Sequence, residues 1–144
     1  MNPSIDTSLS TVLDLARART VVLRDVDAAI GVHHGIGLSD LALLLELSAA
    51  PQHRMRRVDL AGRLGVTTSG VARQLAPLER IGVVGREASP GDARLTLVVL
   101  TEAGERVAGE ALPTAEDAAA SALGKLWSSE EGDRLGALLR VARA

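Results

Sequence analysis

The sequence predicts a mainly α chain with one small β-hairpin, and three features predict it. Across residues 58–81 two segments with helical apolar spacing are joined by a glycine turn. Across residues 83–100 the pattern changes to period two, or to continuous apolar character, around Ser89-Pro90-Gly91-Asp92. On either side run long segments with apolar residues at three- and four-residue steps. Together these outline a winged helix-turn-helix lobe at 38–101, a long N-terminal dimerisation helix within 1–37 and C-terminal dimerisation helices within 102–144, all in one domain.

Each element has its own warrant. The first helix, 4–30, places Ile5, Leu9, Val12, Ala16, Leu23, Val26 and Ile30 along one stripe. The second, 38–49, is nearly all Leu and Ala on its inner face and stops at Pro51. The third, 58–64, turns Leu60, Ala61 and Leu64 inward. Gly65 supplies its left-handed end, Val66 folds back, and Thr67 caps the next helix. That helix, 68–81, turns Val71, Leu75, Leu78 and Ile81 inward and leaves Thr68, Ser69, Arg73 and Gln74 outward. Pro77 removes the bond to the Arg73 carbonyl and predicts a bend. In the hairpin, Pro90 and Gly91 suit the central positions of a type II turn. Asp92 and Arg94, two residues apart on a strand, project to one side, where the carboxylate can hold and aim the guanidinium. Thr101 caps a fifth helix through Val107, Ala111 and Leu112, with a bend expected at Pro113. Ser128-x-x-Glu131 is a capping box opening a last helix with Leu135, Leu138, Leu139 and Ala142 on one side. Terminal stripes this long cannot be buried on so small a lobe, so their expected partner is a second copy.

Composition narrows the function. A chain of 144 residues, 47% hydrophobic, can bury a core. The absence of cysteine excludes disulfides, thiolate zinc sites and thiol redox switches. No segment is apolar and long enough to span a membrane, and the N-terminus has acids but no basic region or cleavage site, so a cytoplasmic location is expected. The net charge of −2 is unevenly placed. Residues 54–94 hold eight arginines against four acids, a local +4 that leaves −6 for the remainder. A basic segment of this kind is the footprint of a nucleic-acid-binding lobe.

At Asp59-Leu-Ala, Leu64-Gly-Val-Thr67, Ser69-Gly-Val-Ala-Arg73, Leu78-Glu-Arg-Ile-Gly82, Asp92-x-Arg94-x-x-x-Val98-x-Leu100-Thr101 and Glu102-Ala-Gly104, the chain resembles the MarR family of bacterial transcriptional regulators. The segment from Asp92 to Gly104 is the most specific part. The resemblance implies an obligate homodimer with two winged lobes, usually a repressor released from DNA by a small ligand or an oxidant. Three positions depart from the family pattern. Arg56 stands where a capping Ser or Thr is usual, Ala93 replaces the first of two wing arginines, and Pro77 lies inside the recognition helix. These departures bear on which DNA sequence is read more than on DNA binding itself.

On this reading Thr67, Thr68, Ser69 and Gln74 are placed at the DNA, the last three as base-edge contacts. Arg73, Arg86, Arg54, Arg56 and Arg57 are placed at phosphates, and Arg94 enters the minor groove with Asp92 orienting it. The expected partners are a pseudo-palindromic duplex and a second copy of the chain. A small anionic or aromatic effector is expected near the first, second and fifth helices, with His33, His34 and Arg17 or Arg19 as its polar contacts. No cofactor and no metal site is expected, because adjacent histidines on one element diverge and zinc needs convergent ligands. No nucleophile-base-acid set is visible, so no enzyme is expected. Trp127 is expected to be a packing residue at a hinge or interface. The alternative is a dimeric protein-interaction module or antirepressor on the same fold. A neutral recognition helix would mark it, and Arg73 and Arg94 stand against it.

Overall fold

The computed structural model describes residues 6–141. The order is α1 (Thr7–His34), α2 (Leu38–Ser48), β1 (Arg54–Arg56), α3 (Arg57–Leu64), α4 (Thr68–Arg80), β2 (Val84–Ser89), β3 (Asp92–Leu100), α5 (Glu102–Gly124) and α6 (Ser129–Val141). The class is the expected one, mainly helical with a small antiparallel sheet. Ser4, Ile5 and Ala142, expected in the first and last helices, lie outside the described residues.

Helix α1 starts at Asp6, whose carboxylate accepts the Ser8 N–H at 3.0 Å. It runs one turn beyond the expected end at Ile30, because nothing breaks it before Gly35 takes a left-handed φ of 69°. The core is built around α2. Its Leu41, Leu43, Leu44 and Leu47 are at most 1% exposed, and the helix packs against α1, α3, α5 and the sheet. Fully burying each such leucine stabilises the fold by about 1.5–3 kcal/mol. Glycine at position 37 offers no side-chain cap, so the first N–H groups of α2 are taken by other side chains. Asp40 accepts from Gly37 at 3.0 Å, and Asp27 of α1 accepts from Leu38 at 2.7 Å.

The helix-turn-helix follows its sequence signals closely. Gly65 closes α3 at φ 66°, the Val66 N–H returns to the Ala61 carbonyl at 3.1 Å, and the Thr67 hydroxyl accepts from Gly70 at 3.0 Å. Helix α4 continues through Pro77 to Arg80, burying Val71, Leu75 and Leu78. Ile81, expected inward, is 60% exposed. It ends the helix just before Gly82 turns the chain at φ 78°, and Val83 and Val84 take the inner positions instead. A third strand, β1, was not expected. It pairs with β3, giving the sheet order β1-β3-β2. The hairpin closes at Pro90 and Gly91, but Gly91 does not adopt the positive φ of a type II turn.

The wing is joined to α5 by a close backbone approach. The Thr101 hydroxyl accepts from Gly104 at 3.1 Å, capping α5, and donates to the Gly82 carbonyl at 2.6 Å. A Cβ on Gly104 would lie 2.0 Å from the Val83 carbonyl oxygen and 2.6 Å from Leu100 Cδ1. Only glycine fits there. At the far end the expected capping box forms, with the Ser128 N–H and hydroxyl on the Glu131 carboxylate at 2.8 and 2.9 Å. These bonds hold the Glu131 carboxyl below the usual carboxylate range. Trp127, half-buried, sits in the turn between α5 and α6.

Much apolar surface stays uncovered. Of α1 only Val26 and Ile30 are buried, while Leu9 and Val12 are 51% and 62% exposed, and α6 buries nothing with Leu138 at 71%. The chain exposes 9658 Å², whereas a compact 15.0 kDa monomer exposes about 7,000 Å².

Gly104→Ala is expected to destabilise the fold by at least about 2 kcal/mol through overpacking against backbone. Gly62→Ala, on a helical position where a Cβ meets nothing within 4 Å, is expected to gain about 0.5–1 kcal/mol. Urea unfolding at one protein concentration compares them. Because the Glu131 pKa is lowered in the fold, its contribution is present above the ordinary carboxylate pKa and is lost as pH falls through the folded value. Glu131→Gln should therefore flatten the acid limb of a thermal-stability profile.

Candidate nucleic-acid interface

Helix α4 presents Ser69, Arg73, Ala76 and Arg80 to solvent at steps of three and four, with Val71, Leu75 and Leu78 opposite. Its first-turn N–H groups carry the positive end of the helix dipole and suit an anion. Thr67 is exposed, but its hydroxyl is occupied by the Gly70 N–H and by Ser69 Oγ at 3.2 Å. It orients Ser69 more than it offers a group of its own.

Between α3, the start of α4 and the wing lies a concavity of about 410 Å³ lined by Arg56, Arg57, Thr68, Arg86 and Arg94. Four guanidinium groups on one hollow make it a site for anions. Two of the four are paired: Arg56 binds Asp59 through two bonds of 2.8 and 3.2 Å, and Arg86 Nε meets Glu79 at 2.6 Å. The Asp59 carboxylate raises the Arg56 pKa further, keeping it charged. Arg54, on β1, meets Glu87 at 3.1 Å and contacts Gln52. Such exposed pairs contribute only about 0–1 kcal/mol, so a phosphate can take either arginine at small cost. Arg57, Arg73, Arg80 and Arg94 make no ion pair among the described residues.

The wing corrects one expectation. The Asp92 carboxylate does not grip the Arg94 guanidinium. It accepts the Arg94 backbone N–H at 2.9 Å. Ser89 pairs with Asp92 while Ala88 pairs with Thr96, so residues 93–95 bulge out of the ladder. Asp92 therefore shapes a bulge that carries Arg94, and the guanidinium is left free. Gln74 is corrected as well: its amide donates to Asp40 of α2 at 3.1 Å, turned back into the protein and away from the outward face. Arg80 was missed. Its signal was available, one heptad after Arg73 on the same face.

The MarR family profile matches residues 36–96. YdgJ of Bacillus subtilis (strain 168), an uncharacterized HTH-type transcriptional regulator, is 38% identical over 90 residues, which are 59% of this chain and 54% of that protein. The matched region thus spans about half the length of that relative. The MarR family transcriptional regulator Sco3205 from Streptomyces coelicolor, solved in complex with DNA, superposes with a TM-score of 0.82 at 26% identity, covering 98% of this chain and 89% of its own. Residues 36–96 thus carry the MarR signature, and the whole chain has the fold of MarR family regulators. Sco5413, a second MarR family transcriptional regulator from the same organism, superposes at 0.80 with 26% identity over 94% of this chain and 92% of its own.

An effector was expected near His33, His34 and Arg17 or Arg19; the two histidines border one hollow beside Thr114, and Arg17 lies apart from them. Arg17 and His34 are separated by seventeen residues of α1, about 25 Å of helix, and Arg17 pairs with Asp14 at 3.2 Å. His34 contacts the Thr114 hydroxyl at 2.9 Å, fastening α1 to α5, and His33 is exposed. Adjacent histidines could not reveal that α1 passes straight through them. Among the described residues no group of three metal-ligating side chains converges.

The geometry separates arginines that equal charge would not. Arg94→Ala is expected to elute from heparin at clearly lower salt than wild type, and Arg54→Ala, which lies outside the cleft lining, to shift clearly less. Equal shifts would sink the assignment of the cleft as the anion site.

Proposed function

We propose that the protein is a homodimeric, sequence-specific DNA-binding transcriptional regulator, a cytoplasmic repressor of a nearby gene relieved by a small molecule. The observation that carries this is the arginine-lined cleft beside the outward face of α4. Arg57 and Arg94 meet phosphate and minor groove from its two walls, Arg73 and Arg80 meet phosphate from α4, and Thr68 and Ser69 stand nearest the base edges. The reading is supported by Sco3205, which has been solved in complex with DNA.

Dimerisation is supported by the uncovered apolar stripes of α1 and α6 and by the excess surface. A two-fold pair directs two α4 helices to half-sites about one helical turn apart on a pseudo-palindrome. For the effector, a cavity of about 300 Å³ between α1, α2 and α5 is lined almost wholly by apolar side chains, with Glu116 its single ionisable group. It shares Leu23, Leu38 and Ala42 with a neighbouring hollow that Arg19 and Arg24 border. An amphiphile with an apolar body and an anionic end suits the pair of cavities, with Arg19, of the two cations considered, at its anionic end.

Fluorescence anisotropy tests the proposal, using a labelled duplex from just upstream of the gene against a scrambled duplex at two salt concentrations. The expected result is binding that survives excess scrambled DNA and weakens steeply with salt, with the salt slope falling by about one on Arg94→Ala. Absence of binding at low salt would instead support a protein-interaction module on this fold.

A further inference from the structure

We infer that Asp40 is a positioning residue for α4: through Gln74 it sets how the helix is presented, so discrimination between DNA sequences depends on a side chain that touches no DNA. The inference rests on the proposed reading that α4 meets a duplex.

Gln74 lies one residue from buried Leu75, and its amide nitrogen donates to Asp40 Oδ1 at 3.1 Å across 34 positions of sequence. The carboxylate cannot swing away freely, because its second oxygen accepts the Gly37 N–H at 3.0 Å. The start of α2 is itself pinned to α1 by Asp27, which accepts the Leu38 N–H at 2.7 Å. Gly37 leaves room for both acids: a Cβ there would lie 3.3 Å from Asp27 Oδ1 and 3.8 Å from Asp40 Oδ2. A chain of directional bonds thus runs from α1 through the start of α2 to the middle of α4.

The buried contacts of α4 otherwise come from Val71, Leu75 and Leu78. These side chains hold the helix down, and Glu79 ties its last turn to Arg86 of the wing at 2.6 Å. The Asp40–Gln74 bond is the directional contact of its middle turn with α2 and sets its rotation there. Rotating α4 by a small angle displaces Ser69 and Arg73 from base edges and phosphates, where hydrogen bonding tolerates only a few tenths of an ångström. Gln74 also borders an open hollow of about 510 Å³, so water can solvate either group when its partner is removed. Loss of the bond should therefore leave the protein folded.

The test uses the full chain and a duplex selected from a randomised pool by the wild-type protein, competed against a scrambled duplex. Gln74→Ala and Asp40→Ala are each expected to lower preference for the selected duplex about tenfold, the scale of one charge-assisted hydrogen bond, and the double variant no further. Gln74→Glu sets two carboxylates against each other. Adding Asp40→Asn restores a donor facing position 74 while its oxygen still serves the Gly37 N–H, and preference should recover. If Gln74 reads bases directly, Asp40→Ala will bind like wild type and Asp40→Asn will not rescue, and either result overturns the inference. Wild-type protein with no preference among duplexes overturns it by removing the reading beneath it. Hydrogen exchange separates that case from failure of the tie. Amides of α4 should exchange faster in both single alanine variants and recover in the Gln74→Glu, Asp40→Asn pair whether or not DNA binds.

Discussion

The geometry of the winged helix-turn-helix depends on the missing side chain at Gly104. Its Cα faces the Val83 carbonyl so closely that a methyl group would overlap it. Thr101 works at the same point, capping α5 with its oxygen while its proton goes to Gly82. One threonine and one glycine thus join the end of α4, the base of the wing and the start of α5. The wing can project outward with only a two-residue tip because its base is held on three sides. Any drift there would move Arg94 relative to Arg57 across the cleft.

On the proposed function, a protein of net charge −2 would reach polyanionic DNA by placing charge rather than accumulating it. The acids within the lobe do not simply cancel its arginines. Asp59 and Glu79 hold Arg56 and Arg86 in place at the cleft, and Asp92 spends its carboxylate on backbone. Exposed ion pairs are weak, so the held arginines are ordered yet exchangeable, which lowers the entropy lost when a phosphate replaces the carboxylate. The unpaired arginines provide the long-range attraction.

What could be read from the residues follows from how local each signal is. The Gly65 turn, the Thr67 and Thr101 caps and the Ser128 box are set by neighbours within a few positions, and all four form as expected. Strand β1 could not be read. It is three residues long, and the chain enters it through Gln52 and His53, both at left-handed φ near 55°. For non-glycine residues that conformation costs about 1–2 kcal/mol each, and it is sustained by tertiary contacts: the β1–β3 ladder and the His53 contact with Glu105. Gln74 failed for a related reason. It sits roughly 65° from the centre of the buried stripe, where periodicity alone cannot decide between solvent and a distant acid. Asp92 failed because strand alternation was applied across a bulge.

Besides the Thr101 junction, polar contacts that tie α2 and α5 to the helix-turn-helix and β1 include Asp40 to Gln74, Glu46 to Arg63 at 3.4 Å, and His53 to Glu105. Under them lies the leucine ridge of α2, which belongs to both lobe and helical base. Helix α1 is 28 residues long, about 42 Å, and buries side chains only in its last third, which leaves the rest for a second copy in the proposed dimer. Its residues Arg19 and Arg24 border the same hollow as Gln74, so that surface reaches the flank of α4. The leucine ridge of α2 transmits position between the helical base and the lobe because a packed core resists compression. On the inferred role of Asp40, its bond to Gln74 adds a directional link at the margin of that ridge, from the start of α2 to α4.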